Sequence, residues 1–395
     1  MADKQMRVLV VDAGVRHAID IIRSLGQQGI EVSAVFKSQN LPASHSRYLK
    51  ESYVFPLDAN VEDVEPSLAY LEELLKSEHF DVTIAAGLDG FRLLSFGLER
   101  LSPYTCIPVS SPKLFAVAED KAATTIFAEE VGVPAPKTYY PKGLDDLEKY
   151  RDIPYPVVVK ARRGQGHFGY ASSYEELCDV TYPEICSQVP DQLAEGVYPI
   201  LQEYIKGKGH GFYALMNHGQ LRAFFMHERI HEVPPTGGPS AMAKSYYDEE
   251  LVEVGSKMLR ELKWHGVAMV EFKKDEKDGR YKLIEINPKF WGSLGLSIAA
   301  GVNFPRLLVE MAANGDVAPV EPPQKPITYQ WLSMDMAYSV AVHKPLLWLS
   351  YVLKGVPNDF RLNDPLPNLA LISQGGMDVV RGKRKVHSTG GDLKA

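Results

Sequence analysis

The sequence predicts a mixed fold, in which an α/β region with a doubly wound parallel sheet is followed by an α+β region and a mostly helical end. Three observations predict it. Short β runs alternate with helical runs up to about residue 110, hairpins replace this alternation from residue 111, and the proline-rich "EPPQKP" precedes a segment without strand patterns. We therefore expect domains at residues 1–110, 111–320 and 321–395.

The amino-terminal alternation runs through "RVLVVDA", "HAIDIIRSLGQQGI", "EVSAVF", "LAYLEELLKSEHF" and "DVTIAAG". Gly14 alone follows the first strand, so the dinucleotide fingerprint G-x-G-x-x-G is absent. Ligands of such sheets bind beyond the carboxyl ends of the strands, where this chain carries Asp12, Gly14, Arg16 and Asp89. These residues predict either a pocket for a small polar substrate or, for the two aspartates, simple caps of the following helices.

Composition narrows the class of protein. The chain has 395 residues, 24% of them charged, and a net charge of −7, which argues against a nucleic-acid partner despite the locally basic residues 381–394. Its three cysteines form no CxxC pair and suggest neither a disulfide framework nor a zinc site. Without a secretory signal pattern or a long apolar run, we expect a cytoplasmic protein with no transmembrane segment.

The most apolar stretch is "MAYSVAVHKPLLWLSYVLKG", which is interrupted by His343, Lys344 and Pro345. We interpret it as two packing helices, with attachment to a membrane surface as the alternative. Earlier in the chain, "SPKLFAVAEDKAATTIFAEEVG" is predicted to be one helix from a Ser-Pro start to Gly132.

A possible metal site lies on a predicted hairpin. The strand "HGVAMVEFKKD" carries Glu271, and the returning strand "YKLIEIN" brings Glu285 and Asn287 back beside it. Residues two apart on a strand share a face, and two carboxylates with an amide oxygen form the kind of site that holds Mg²⁺. The alternative is a set of exposed strand residues paired with Lys273 and Lys282.

A possible phosphate site lies in "VVVKARRGQGHFG", where Lys160 ends a strand and a glycine-rich loop follows. Lysine and backbone N–H groups are the usual partners of phosphate oxygens, and the glycines would let the loop close over them. Lys121 in "AEDKAATT" adds a second cation at the start of a helix, with a simply exposed lysine as the alternative. A solvated hairpin turn is the alternative.

In chain order, the "EDK" lysine, the strand lysine with its glycine loop, "LQEYIKG", "ERIHEVPPTGGPS", "VEFKKD" and "IEINPKFWGSLGLSIAAGVNFP" resemble the ATP-grasp superfamily. The resemblance is to its carboxylate-amine ligases and carbamoyl-phosphate-synthetase-like members, and it covers residues 111 to about 315. The amino-terminal region looks like the accompanying pre-ATP-grasp domain. The resemblance implies an ATP-grasp domain of two α+β subdomains, with ATP and Mg²⁺, or possibly Mn²⁺, as cofactors.

The resemblance also implies roles for individual residues. Glu271, Glu285 and Asn287 would hold the metal ions, and Gln202 would be structural. The backbone of Glu203 and Ile205 would contact the adenine edge. The nucleotide-binding set as a whole is Lys121, Lys160, Gly164, Gly166, Gly169, Glu203, Tyr204, Ile205 and His210, although a plain turn histidine is an equal interpretation of His210.

The reaction implied is attack of a substrate carboxylate on the γ-phosphate, followed by displacement of phosphate from the acyl phosphate by an amine. Arg229 would hold the carboxylate or acyl phosphate, unless it only pairs with Glu228 or Glu232. Lys289 would be catalytic where relatives often have arginine, and Lys208 stands where many have an acidic residue. Substrate contacts are expected from Gly237, Gly238, Ser240, Gly292 and Ser293, besides the amino-terminal set.

The sequence thus predicts an ADP-forming carbon-nitrogen ligase for small-molecule carboxylate and amine substrates, possibly a homodimer. A non-catalytic ATP-binding sensor or scaffold protein is the alternative. A carboxylase is a third possibility, but no biotin or carrier segment is evident.

Overall fold

The computed structural model describes residues 5–59, 64–164, 166–235, 238–321 and 325–380, with residues 375–380 as backbone only. Gly237, predicted to contact substrate, and the basic residues 381–394 therefore lie outside the described part of the chain.

The amino-terminal part alternates strands and helices, as predicted. Its four strands are all parallel and stand in the order β3-β2-β1-β4, so the carboxyl ends of β1 and β4 meet at the point where the strand order reverses. The sequence analysis missed β3, an edge strand with mostly exposed side chains that follows β2 after a 3₁₀ turn. The elements are β1 (Arg7–Val11), α1 (Ala18–Gly26), β2 (Glu31–Phe36), β3 (Leu49–Val54), α2 (Val64–Ser77), β4 (Val82–Ala85), α3 (Leu88–Phe96) and α4 (Leu98–Leu101).

The stretch predicted as one helix is two, α5 (Pro112–Glu119) and α6 (Lys121–Glu130), so that prediction was wrong. Asp120 breaks it: its backbone is extended, and its carboxylate accepts hydrogen bonds from the N–H groups of Ala122 (2.9 Å) and Ala123 (3.2 Å). An aspartate that caps a new helix in this way is more stable there than within a continuous helix. Lys121 consequently becomes the first residue of α6.

A small antiparallel sheet follows, with strand order β5-β8-β6-β7. It has a hydrophobic core of its own, built around Leu147, Val157, Tyr182 and Leu201. Its elements are β5 (Thr138–Tyr139), β6 (Val157–Lys160), β7 (Phe168–Ala171), α7 (Tyr174–Glu176), α8 (Tyr182–Gln188), α9 (Pro190–Ala194) and β8 (Ile200–Glu203), with a 3₁₀ helix at Leu144–Tyr150 and a π-helical turn at Leu177–Thr181.

The largest sheet has six antiparallel strands in the order β13-β12-β9-β10-β11-β14. One continuous hydrophobic core, from Val8 to Trp331, joins this sheet to the amino-terminal sheet. The boundary proposed at residue 110 therefore does not divide the core. The elements are β9 (Gly209–Asn217), β10 (Gln220–Glu232), β11 (Ser240–Ser245), α10 (Glu249–Glu261), β12 (Gly266–Lys274), β13 (Tyr281–Asn287), α11 (Leu294–Ala299), α12 (Phe304–Asn314) and β14 (Thr328–Gln330).

The last described part of the chain, up to residue 380, contains the helices α13 (Leu332–Ala341), α14 (Leu347–Leu353) and α15 (Leu366–Val380). The Asp335 carboxylate of α13 accepts a hydrogen bond from the buried His231 Nδ1 of β10 at 2.6 Å. The guanidinium of Arg23 in α1 donates to the Asp364 carboxylate (2.8 Å) and to the side chain of Asn368 (2.9 Å). These contacts tie the helical end to both the amino-terminal and the six-stranded sheets. Among the described residues, no helix combines the length and apolar character needed to cross a bilayer.

Candidate functional site

A cavity of about 670 Å³ lies between the small sheet and the six-stranded sheet. Its walls come from β6, β8, β10, β12 and β13 and from the turn after β1. Most of the residues predicted to bind nucleotide, metal or substrate line this one space. Those that do are Arg16, Lys121, Lys160, Gly164, Gly166, Glu203, Tyr204, Ile205, Arg229, Gly238, Ser240, Glu271, Glu285, Asn287, Lys289, Gly292 and Ser293.

The two glutamates come from the β12–β13 hairpin. Glu271 pairs directly with Glu285, and Met269 pairs with Asn287. Next to this pair the register shifts, because Phe272 pairs with Leu283 and leaves Ile284 as an extra residue. This β-bulge changes the face that follows it: Leu283 is buried in the core, whereas Ile284, Glu285 and Asn287 line the cavity.

The pKa values of the two glutamates are shifted in opposite directions. Burial and the neighbouring Glu285 raise the pKa of Glu271, against the pull of Arg229, Lys289 and Lys160. Burial alone would also raise the pKa of Glu285, but Lys121, the Asn287 side chain and Lys160 outweigh it and lower that pKa. Two facing carboxylates that repel each other in a half-buried cleft would be stabilised by a divalent cation.

Oxygen donors are the ligands that Mg²⁺ prefers, so Glu271, Glu285 and Asn287 fit this ion in chemistry. Asn287 Nδ2 donates to Glu285 Oε1 at 3.0 Å, which fixes the side chains relative to each other. Among the described residues, no group of three or more His, Cys, Asp or Glu side chains could hold a metal. In the described part of the chain, this set consists of two carboxylates and one amide, which leaves coordination positions for ligands from a phosphate or water.

Three lysines face the carboxylates. Lys121 Nζ lies 3.5 Å from Glu285 Oε2 and donates to the carbonyl of Gly164 at 2.8 Å. Lys160 Nζ donates to Gln202 Oε1 at 2.7 Å. Burial lowers the pKa of Lys289, against the attraction of Glu285 and Glu271. The cleft thus holds opposed positive and negative groups, as binding of a metal–phosphate complex requires.

The pKa of Lys160 is strongly lowered. Burial is the main cause and, with Lys121 and Lys273, outweighs the opposing effect of Glu285 and Glu271, which brings the pKa to about 8. A lysine held in this state gains from an added anion, because the anion favours the protonated form.

The glycine-rich loop between β6 and β7 is joined to α6. Arg162 pairs with Asp120 (Nη2 to Oδ2, 2.6 Å), and the Lys121 N–H donates to the Arg162 carbonyl at 3.0 Å. Gly164 and Gly166 have φ of 83° and 81° and line the cavity. Gly169 does not: it lies on β7, where an added Cβ would be 2.8 Å from the Thr181 side chain, so its role here is close packing.

The segment after β8 offers one acceptor and one donor. The N–H of Glu203 donates to the Lys137 carbonyl (2.8 Å), so a base contact from its backbone would use the carbonyl. The carbonyl of Ile205 accepts from Lys273 Nζ (3.0 Å), so a contact from Ile205 would use the N–H. Tyr204 lines the cavity beside them, with Lys273 Nζ 5.3 Å from its ring centroid.

His210 is not among the residues that line the cavity. Its Nδ1 is 2.7 Å from the Tyr246 hydroxyl, and its ring packs edge-on against Tyr246 and Tyr281. The structure therefore places it within an aromatic cluster, and a nucleotide contact would require it to leave these partners. Lys208 is exposed and also lies away from the cavity walls.

Arg229 has two carboxylate partners, and each supports a different role for it. One partner is at the surface and the other is at the cavity. Nη1 lies 3.2 Å from Glu232, the surface partner considered in the sequence analysis, and Nη2 lies 3.5 Å from Glu271 at the cavity. The Glu271 contact directs the guanidinium to the carboxylate pair.

The predicted substrate residues fall into two groups. Arg16, Gly238, Ser240, Gly292 and Ser293 line the main cavity, and Arg16 Nη2 donates to the Gly292 carbonyl at 2.8 Å. Ser293 precedes α11, a helix of only six residues, and its hydroxyl is 2.6 Å from His227 Nε2.

The second group, Asp12, Gly14 and Asp89, lines a smaller cavity of about 440 Å³ at the ends of β1 and β4. Asp12 has a φ of 56° and accepts from the Gly90 N–H at 3.2 Å, so its side chain caps α3 and not the helix that follows it. Asp89 pairs with Lys37 at 2.5 Å instead of capping α3. Val15, His17 and Lys289 line both cavities.

Sequence analysis missed several polar residues of the site. His17 is buried, with a pKa that burial lowers to about 3, and its Nε2 lies 2.9 Å from the Ala86 carbonyl. His227 is buried and neutral in the same way, and its Nε2 also contacts the Tyr213 hydroxyl (2.6 Å). No local motif predicts either histidine, because each one depends on contacts between segments that are distant in the sequence.

Comparison with known proteins agrees with this architecture. Residues 200–334 match the family model described as "ATP-grasp in the biosynthetic pathway with Ter operon". The chain is 26% identical over 226 residues to carbamoyl-phosphate synthase of Methanobrevibacter smithii, which covers 55% of this chain and 59% of the relative. It is 22% identical to D-aspartate ligase of Enterococcus faecium over 73% of this chain and 72% of the relative.

Among solved structures, the chain is similar to the biotin carboxylase domain of Hydrogenobacter thermophilus 2-oxoglutarate carboxylase, with a TM-score of 0.66 at 18% identity. That domain was solved in complex with MgADP, ADP and bicarbonate. The alignment covers 82% of this chain and 74% of that one. At this identity the likeness shows the fold alone. Residues 200–334 thus match an ATP-grasp family model, and the chain is similar over more of its length to a carbamoyl-phosphate synthase and to a D-aspartate ligase.

Proposed function

We propose that this chain is an ADP-forming carbon-nitrogen ligase that uses Mg-ATP to activate a carboxylate for attack by an amine. The main support is the arrangement of charges in the cavity, where Lys121, Lys160 and Lys289 face the carboxylate pair of Glu271 and Glu285. A carboxylate pair for metal and a set of lysines for phosphate are what phosphoryl transfer needs from a protein.

Glu271, Glu285 and Asn287 would hold the metal ions, and the resemblance to relatives makes Mg²⁺ the expected ion, with Mn²⁺ as a substitute. When bound, the ions would neutralise the charge of the phosphates during transfer. Lys121 and Lys160 would contact the phosphate oxygens, and the loop that carries Gly164 and Gly166 would exclude water from them.

The base would lie against Tyr204 and Ile205, on the apolar side of the cavity. An acceptor on Glu203 and a donor on Ile205 match the amino group and ring nitrogen along one edge of adenine. Arg229 and Lys289 would hold the substrate carboxylate and its acyl phosphate, since both lie beside Glu271 and present cations to the cavity.

The amine acceptor would enter from the smaller cavity, because Lys289 and His17 form a wall that both spaces share. Asp12 would be the carboxylate that the amine meets there, because Asp89 is already paired with Lys37. His17 is neutral at working pH and would position groups by hydrogen bonding without adding charge.

The function is tested by measuring ADP release from Mg-ATP with pools of amino acids, other carboxylic acids, bicarbonate and amines. We expect release that depends on one acid and one amine, and a loss of more than about 100-fold in Glu285→Gln, because even weaker disturbances of a metal site cost 10- to 100-fold. Glu276→Gln is the matched control, since this exposed glutamate lies in the turn of the same hairpin and pairs only with Lys206 at the surface.

Tight ATP binding without ADP release from any pool would favour the sensor or scaffold hypothesis instead. Release with bicarbonate and no amine would favour a carboxylase. Turnover of Glu285→Gln equal to that of Glu276→Gln would contradict the metal assignment.

A further inference from the structure

The three carboxyl-terminal helices expose large apolar side chains that the proposed reaction does not use. Leu346 and Leu353, at the two ends of α14, are 70% and 80% exposed, and Leu362, before α15, is 90% exposed. Leu366 and Leu369 on α15 are also exposed. We call these five residues the leucine surface. Apolar side chains grouped in this way mark an interaction site more often than single exposed leucines do.

The leucine surface is spread over α14, α15 and the segment before α15, and both helices pack on α13. Leu346 and Leu353 are seven residues apart, and Leu366 and Leu369 are three apart, so each pair lies on one side of its helix. The opposite side of α15 packs inward, where Asn368 is buried and bonded to Arg23. The leucines are therefore not needed to attach the helices to the rest of the protein.

The exposed charged side chains described within residues 332–374 are both lysines. Within residues 332–374 the acidic side chains are Asp335, Asp359 and Asp364, and all three are buried. Lys344 and Lys354, by contrast, are exposed. The chain as a whole has a net charge of −7, whereas residues 332–395 carry eight lysines and arginines against five aspartates.

The basic character continues along the chain. The sequence directly after α15 is "RGKRK", with four cations in residues 381–385. Exposed leucines beside lysines, without exposed carboxylates, form the pattern of protein surfaces that lie on anionic membranes.

A second copy of this chain would fit the leucine surface less well than a lipid bilayer would. In a two-fold symmetric dimer the leucine surface would face itself, and Lys344 and Lys354 would meet the same lysines without a described carboxylate between them. A lipid surface would supply the missing negative charge.

We propose that the leucine surface rests on a lipid bilayer that contains anionic phospholipids. The leucines would enter the boundary between head groups and acyl chains, and the lysines would meet the lipid phosphates. Trp348 and Tyr351 of α14 are half-buried beside them and are residue types that favour this boundary. The attachment would be peripheral, which agrees with the lack of a membrane-crossing helix among the described residues.

The test is flotation of the full chain with vesicles of phosphatidylcholine alone and of phosphatidylcholine mixed with phosphatidylglycerol. We expect binding to the mixed vesicles only, and weaker binding at high salt, because the lysine contacts are screened. Binding is measured without nucleotide, so the result does not depend on the proposed ligase activity.

Leu346→Glu with Leu353→Glu is expected to lower vesicle affinity by about tenfold or more for each leucine. Leu144→Glu is the matched control, because Leu144 is 53% exposed in the small α+β subdomain, far along the chain from the leucine surface. Lys344→Glu and Lys354→Glu are each expected to lower affinity by about fivefold, with exposed Lys142→Glu as control. Circular dichroism and Mg-ATP turnover should be unchanged in all of these variants.

Three results would overturn the proposal. They are absence of binding to the mixed vesicles, equal binding by the unmodified protein and the leucine double variant, and a dimer in light scattering that the leucine double variant converts to a monomer.

Discussion

Lys160 shows how a single residue can couple proton binding to nucleotide binding. Its ammonium is held by Gln202 in a cleft where burial brings the pKa to about 8. An arriving phosphate would favour the protonated form, so part of the protein population must take up a proton when Mg-ATP binds near this pH.

We predict that Mg-ATP affinity falls about tenfold per pH unit above pH 8, as Lys160 loses its proton. Calorimetry in buffers of different ionisation enthalpy should show proton uptake near pH 8. Lys160→Arg keeps the charge at these pH values and should abolish both effects, and persistence of the pH dependence in Lys160→Arg would rule out this lysine as its source.

The same shift has the opposite effect on stability. Between pH 8 and the ordinary lysine pKa of 10.5, the unfolded chain carries the extra proton on this lysine, so the free energy of unfolding contributed by Lys160 rises with pH over that window. Stability and nucleotide affinity should therefore change in opposite directions there.

At the scale of elements, the break between α5 and α6 is the feature that assembles the phosphate side of the site. Asp120 caps α6 and pairs with Arg162 of the glycine-rich loop, while Lys121 bonds to Gly164 of the same loop. One helix end therefore carries a cation and also holds the loop.

We predict that Asp120→Ala lowers the free energy of unfolding by about 1 kcal/mol, as the loss of a helix cap does, and also weakens Mg-ATP binding by about tenfold through the lost Arg162 contact. Ser173→Ala is the control, because Ser173 caps α7 beside the small sheet and its described hydrogen bond is to the Glu176 N–H, not to the loop. Chemical denaturation and calorimetry separate the two effects. Equal nucleotide affinity in both variants would show that the cap serves stability alone.

Sequence patterns were informative about elements where the signal is local. Alternation of β runs and helical runs predicted the parallel amino-terminal sheet. A strand–turn–strand pattern predicted the hairpin in which Glu271 lies opposite Glu285. The bulge at Ile284 was not predictable in this way. Regular alternation from the buried Tyr281 and Leu283 would put Glu285 in the core, and only the pairing partner reveals the extra residue.

Other parts of the site depend on partners far away in the sequence. Asp120 could have been recognised as a cap, since aspartate before a helical run is a known signal, but the apolar pattern continued through it. His17 and His227 carry no such signal, and His210 had a motif-based role that its aromatic neighbours do not support. The two groups of substrate residues were likewise indistinguishable until the separate cavities were seen.

At the scale of the whole molecule, the carboxyl-terminal helices fasten the amino-terminal sheet to the six-stranded sheet. Arg23 of α1 is buried and bonded to Asp364, Asn368 and the Asp359 carbonyl, and Asp364 also accepts from Ser46. The small sheet has its own core and lacks a comparable fastening to these helices among the described contacts.

We predict that Asp364→Ala lowers the free energy of unfolding by about 3–5 kcal/mol, because it leaves the buried Arg23 without its carboxylate. Glu310→Ala removes the exposed Arg306–Glu310 pair and should cost only about 0.3–0.5 kcal/mol. Denaturant titration measures both. A cost for Asp364→Ala as small as that of the control would mean that the helical end is not fastened through this pair.

The wall that the two cavities share has a consequence for timing. Val15, His17 and Lys289 line both cavities, so an acyl phosphate formed in the larger cavity by the proposed reaction would lie close to the smaller one. In that case, transfer to an acceptor in the smaller cavity would compete with loss of the intermediate by hydrolysis.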